Sequence, residues 1–175
     1  MSERAVVIGR NSIRFERVLP GPIDRVWAWL VEPDRRAKWL AGGLMPLLSG
    51  EPFQLQFRHA DLSERNAPVP EQCRAMEHGH SLACRITRCE PPTALAFTWG
   101  DGKSDESEVT FELTPHGSDV RLVLTHRRLD AARKSWVAAG WHTHLNLLTD
   151  RLNGRDTEPF WPVWSRLEAE YSQKE

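Results

Sequence analysis

The sequence predicts an α+β domain in which an antiparallel sheet is covered on one face by a long helix near the C-terminus. Three observations carry this. Residues 136–152, WVAAGWHTHLNLLTDRL, contain no proline and place Trp141, Leu145, Leu148 and Leu152 at i, i+4, i+7 and i+11. That spacing is an amphipathic helix with one apolar stripe. Upstream, SLACRITRCE, TALAFTWG, SEVTFELT and DVRLVLTHRRL alternate apolar and polar residues, separated by Pro91-Pro92, Gly100 to Gly102 and PHGSD. Such short turn-forming separators imply an antiparallel meander with one covered face and one wet face. The helix stripe can then be buried only against the apolar sheet face.

The other elements follow in order. SIRFERVLPGP puts Ile13, Phe15, Arg17 and Leu19 on one face of a first strand that ends at Pro20-Gly21-Pro22. In PIDRVWAWLVEP, Ile23, Val26, Trp27 and Leu30 recur at helical spacing between Pro22 and Pro33, and DRRAKWLAGG is a second short helix or turn. FQLQFRH is a half-buried strand with Phe53, Leu55, Phe57 and His59 on one face. PEQCRAMEHG reads as a short helix between Pro70 and Gly79. In the meander, strand parity gathers Ile86; Leu95, Phe97 and Trp99; Val109, Phe111 and Leu113; and Val120, Leu122, Leu124 and His126 on the covered side. Gly154 stops the long helix, and PFWPVWSRLEAEYSQKE forms an additional terminal helix with Phe160, Trp164, Leu167 and Tyr171 at one face.

Composition bounds function. The 175 residues carry no internal repeat, so a single domain over 1–175 is expected. Twenty-three basic against 24 acidic side chains leave a formal net charge of -1, which supplies no general pull toward nucleic acid. No apolar run reaches the ~18 residues of a membrane span, and the N-terminus has no secretory signal pattern. Three cysteines, with no CxxC, suit a reducing, cytoplasmic setting. Eight tryptophans against one tyrosine can fill a thick core or wall a cavity.

The histidines are the candidates for chemistry. His142 and His144 point roughly 200° apart on a helix, so they are not a chelating pair. His144 borders the apolar stripe, whereas His142 is expected at the surface. Cys84 and Cys89 lie an odd number of residues apart on one strand and are expected on opposite faces. His78 and His80 flank Gly79 at a helix end and read as solvated. No metal or cofactor is expected from these sets. No nucleophile elbow is present, and Asp105, Glu106 and Glu108 fall in a turn and on an outward face. Cys84 reads as a small buried apolar residue, and adjacent Arg127 and Arg128 point opposite ways, so at most one can meet a ligand head group. Trp161 and Trp164 are expected in the core.

The segments PIDRVWAWLVEPDRRAKWLAG, LSGEPFQLQF, PPTALAFTWG, LTHRRL and GWHTHLNLLTDRLNG resemble the START-like helix-grip (SRPBCC) superfamily. Within it they most resemble the domain related to the activator of the ninety-kilodalton heat-shock protein ATPase. All are fold motifs rather than catalytic signatures. The resemblance implies a curved sheet gripping the last long helix, with a cavity between them that takes an apolar ligand in many relatives. The eukaryotic chaperone activator carries an additional N-terminal domain that this sequence does not contain. Combined with strand parity, the resemblance points to Phe57, His59, Trp99, Phe111, His126, Trp141 and His144 as ligand-binding residues. Three functions are open: a non-catalytic carrier or sensor of a small apolar ligand, a protein-interaction module acting on a chaperone, and a cyclase- or hydratase-type enzyme using a cavity histidine as base.

Overall fold

The structure, a computed structural model, describes residues 4–7, 9–100 and 106–174. Strands β1 (Val6–Val7) and β2 (Ile13–Pro20) are followed by helices α1 (Ile23–Val31) and α2 (Pro33–Arg36). Then come β3 (Pro52–Phe57), β4 (His80–Glu90), β5 (Ala94–Trp99), β6 (Ser107–His116) and β7 (Asp119–Arg127). The long helix α3 (Lys134–Leu152) and the terminal helix α4 (Phe160–Ser172) close the order. The strands form one curved antiparallel sheet in the order β1-β2-β7-β6-β5-β4-β3. This is the α+β architecture that the element order predicts, in the helix-grip form that the resemblance implies.

Strand parity explains the core. Phe15, Leu19, Ile86, Leu95, Phe97, Val109, Phe111, Leu113, Leu122 and Leu124 all point to the inner face and are buried. On α3 they meet Trp141, Leu145, Leu148 and Leu152, which are buried as the stripe requires. Each such apolar side chain taken fully from water contributes about 1.5–3 kcal/mol, which holds the helix against the sheet. The outer face stays polar. On β2 and β7, Glu16 accepts from Arg14 at 2.6 Å and from Arg121 at 2.7 Å. Gly154 (φ +66) ends α3 in a Schellman arrangement, with Gly154 N–H on the Arg151 carbonyl and Arg155 N–H on that of Asp150.

Some expectations are corrected. β3 ends at Phe57, and His59 belongs to a 3-10 turn over His59–Leu62 rather than to the strand, although it is still buried. A bulge between Ile86 and Arg88 on β4 shifts the register by one residue, so Cys89 pairs with the inward-facing Leu95. Cys84 and Cys89 therefore share a face, because the inserted residue reverses the parity beyond it. His142 is 6 % exposed rather than at the surface. The reason is that α3 is covered twice, by the sheet on one side and by α4 on another, and His142 sits between β2 and α4. The Phe15 ring lies edge-on to His142 at 6.0 Å, and Tyr171 of α4 shares a 2.9 Å hydrogen bond with its Nδ1. On β5, Ala94, Ala96 and Thr98 are buried as well, although the outer face was expected wet. Small residues in a central strand are shaded by the long charged chains of their neighbours.

Arg36 is a buried cation that sequence pattern does not reveal. Its guanidinium donates to the carbonyls of Val31 (3.0 Å), Leu30 (3.4 Å), Ala41 (3.0 Å) and Gly43. The first two belong to the last turn of α1, whose end carbonyls have no partner within the helix. Burial lowers its pKa to about 10, so it stays charged at neutral pH.

Candidate functional site

Between the sheet, α3 and α4 lies a pocket of about 420 Å³. β3 and the turn after it supply Phe57 and His59. β4 supplies His80 and Leu82, β5 supplies Trp99, and the first residue of β6 supplies Ser107. From α3 come Trp136, Val137, Gly140, Trp141 and His144, spaced so that one helix face looks into the hollow. α4 contributes Phe160, Trp161 and Trp164 as a further wall, and Met76 is also in the lining. Arg128, Asp130 and Arg133 are exposed and form the rim. A hollow mostly walled by apolar and aromatic groups, with a few polar ones, has the general form of a small-molecule site.

Five of the seven expected residues line this pocket: Phe57, His59, Trp99, Trp141 and His144. Phe111 and His126 do not. Both are buried one layer behind, Phe111 edge-on to Trp141 at 5.8 Å and His126 against Trp141 and Trp99. They face the right side of the sheet, but the Trp141 indole stands in front of them. Sequence reasoning missed His80 and the α4 wall. His80 faces inward beside Phe57, with ring centroids 4.8 Å apart, where a solvated position was expected. The parity running back from Ile86 through Cys84 and Leu82 would have found it. Trp161 and Trp164 are buried as expected, and they wall the pocket as well. Asp105 lies outside the described residues. Arg127 pairs with Glu108, and Arg128 donates to the Glu106 carbonyl at 2.8 Å.

The polar groups have fixed hydrogen-bond polarity. Trp141 Nε1–H donates to His126 Nδ1 at 2.9 Å. An indole N–H can only donate, so Nδ1 carries the lone pair and a neutral His126 carries its proton on Nε2. That proton goes to Ser107 Oγ, 2.8 Å away. Burial lowers the His126 pKa to about 3, which keeps the ring neutral at pH 7. The Ser107–His126 contact is therefore not a nucleophilic dyad. A base must present a lone pair to the hydroxyl, whereas Trp141 holds the ring in the opposite tautomer.

His144 is set in the same manner. Its Nδ1 donates to the Trp39 carbonyl at 2.7 Å, which leaves a lone pair on Nε2. Burial lowers its pKa to about 4, partly offset by that hydrogen bond. His59 is lowered to about 2 by burial and by the neighbouring His144 and His80. Burial also lowers His80. The Nδ1 atoms of His59 and His80 are buried without a protein partner. Three rings this close discourage one another from charging, so the histidine side of the pocket is neutral. Among the described residues, no group of three His, Cys, Asp or Glu is arranged to hold a metal ion.

The model of the family described as activator of Hsp90 ATPase homolog 1-like protein matches residues 20–153 of this chain. The chain belongs to that family. This agrees with the resemblance carried by the segments from Pro22 to Gly154. The protein encoded by gene BPP1335 of Bordetella parapertussis, known from a solution structure, is 45% identical, over 97% of this chain and 89% of that one, with a TM-score of 0.82. CalU16 from Micromonospora echinospora is similar in fold at 22% identity, covering 97% of this chain and 93% of its own, with a TM-score of 0.66. DynU16, from the dynemicin biosynthetic locus, is 20% identical with a TM-score of 0.63, over 82% of this chain and 47% of its own. No curated protein matches the chain. Among the described residues, no helix of this family member is long and apolar enough to cross a membrane.

Proposed function

We propose that this chain is a single-domain, cytoplasmic, non-catalytic carrier or sensor of a small, largely apolar ligand held in the pocket under α3. The observation that carries the reading is the pocket itself: about 420 Å³, walled by Trp99, Trp136, Trp141, Phe160, Trp161 and Trp164. Aromatic side chains offer large apolar faces at little entropic cost, which suits recognition of a greasy guest. Family membership is compatible with ligand binding and does not specify the ligand. The test is native mass spectrometry of freshly purified protein, with titration of tryptophan fluorescence by apolar aromatic compounds. A co-purified small mass or saturable quenching is expected. The absence of both in a folded sample would overturn the reading.

A second reading, a protein-interaction module acting on a chaperone ATPase, is favoured by one surface feature. Leu44, Leu47 and Leu48 are exposed together in the segment between α2 and β3, Leu44 by 84 %. That reading requires the protein to change a chaperone's ATPase rate and requires serine at these three positions to abolish the change. An unaltered rate removes it. The enzyme reading loses support from the site: a general base works best with a pKa near the operating pH, and His59 and His144 are held at about 2 and about 4.

A further inference from the structure

We infer that Ser107 is the pocket's fixed hydrogen-bond donor, and that the ligand is a flat, neutral aromatic compound presenting a carbonyl or similar acceptor to it. The inference rests on the ligand-binding reading above and names the chemistry of that same site. It follows from the direction of the chain of hydrogen bonds behind the pocket. Trp141 donates to His126, and His126 in turn donates to Ser107 Oγ. Because His126 Nε2 spends its proton on Ser107, the serine's own proton has no use there. Ser107 lines the pocket, so its hydroxyl offers that proton to whatever enters. A serine next to an untethered histidine could equally point its proton at the ring. The Trp141 indole removes that option.

The other polar groups of the enclosed lining complete the specification. Ring contacts run from His126 to Trp141 at 6.2 Å, from Trp141 to His144 at 6.3 Å and from His144 to His59 at 5.7 Å. Beyond Trp141 the available atoms are thus the His144 Nε2 lone pair and the unpartnered Nδ1 atoms of His59 and His80. His59 is 8 % exposed, so an unmet nitrogen there stays costly until a ligand supplies a partner. A hydroxyl on the ligand, placed away from its carbonyl, would serve His144. Every one of these groups is neutral, whereas the charged residues Arg128, Asp130 and Arg133 stay at the exposed rim. A charged guest would lose its hydration with no counter-ion inside. The flat walls select an aromatic one.

The probes are 2-acetonaphthone, labelled at its carbonyl carbon, and 2-ethylnaphthalene, nearly the same shape without the acceptor. The ketone is expected to bind roughly fivefold more tightly, the worth of one neutral hydrogen bond. Its carbonyl stretch should move to lower wavenumber on binding, by infrared difference spectroscopy. Ser107→Ala should abolish both the preference and the shift. Ketone binding with a carbonyl band that ignores Ser107→Ala would overturn the inference and leave the ligand-binding reading standing. Failure of both naphthalenes to bind would overturn the inference; the ligand-binding reading falls only if native mass spectrometry also finds no co-purified small mass. A measurement independent of any variant is the histidine tautomer in the wild-type protein by long-range proton–nitrogen NMR. His126 protonated at Nε2 is expected, and protonation at Nδ1 would overturn the donor assignment.

Discussion

His144 Nδ1 donates to the carbonyl of Trp39 across 2.7 Å, tying the middle of the long helix to the segment that follows α2. Both ends of this bond are out of water, so the Trp39 carbonyl has no solvent to fall back on. His144→Phe keeps the ring shape and removes the donor, leaving a buried acceptor unmet. The expected cost is about 1–3 kcal/mol, read as a shift in urea midpoint. His144→Asn, which can place an amide N–H at a similar reach, should recover part of it.

Gly140 offers a sharper probe of the pocket. It sits within α3, and a Cβ built there meets nothing within 4 Å because it projects into open space. Gly140→Ala is expected to stabilise the protein by about 0.4–1 kcal/mol through reduced unfolded-chain entropy and better helix propensity. Gly140→Leu should still fold and should fill the hollow. Its melting temperature is expected to equal or exceed that of wild type while ligand quenching disappears.

Acid should unfold this protein earlier than its carboxylates alone would predict. His126, His142 and His144 have pKa values lowered to about 3, about 4 and about 4, chiefly by burial, and His59 to about 2. Unfolded, each titrates near 6.5. Above that pH neither state binds the proton, and stability is at its full value. As pH falls below 6.5 the unfolded chain takes up protons that the native state refuses, so stability is lost down to the folded pKa values. Each such histidine costs about 1.4 kcal/mol per pH unit in that window. Urea unfolding at pH 7.0, 6.0 and 5.0 should show a steep decline, and His142→Gln should flatten it by about one proton.

Arg36 should be intolerant of substitution despite touching no ligand. Its donors meet the carbonyls of Leu30, Val31, Ala41 and Gly43, binding the end of α1 to the loop before β3. Arg36→Met is expected to cost roughly 3 kcal/mol or more, since four inward carbonyls lose their donor together. Arg36→Lys should rescue little, because one ammonium cannot span the fork that a guanidinium fills. Chemical denaturation of both variants is the check.

Much of the fold was legible because it depends on period. The inward parity of β5, β6 and β7 and the Trp141–Leu152 stripe are local patterns, and the residues they name are buried, except Trp99, which is part-exposed at the pocket. The site was only half legible. Phe57, Trp99 and His144 lie where parity puts them, but whether a residue lines a hollow or stands behind another ring depends on side-chain length and placement. Thus His126 and Phe111 have the correct facing and lie behind Trp141. His142 shows the same gap from the other side: its polarity suggests water, while the docking of Tyr171 encloses it. The parity of Cys89 failed for a local reason, a bulge that leaves no clear mark in RITRCE.

The stretch that the family model matches ends at residue 153 of this chain, yet three aromatic rings that line the pocket, Phe160, Trp161 and Trp164, come after it. The shape of one wall of the chamber is therefore set by a segment outside the matched stretch, after the clasped helix has ended. Exchanging residues 155–175 between two members would change that wall, and would also have to re-form the Tyr171–His142 bond that docks α4 on α3.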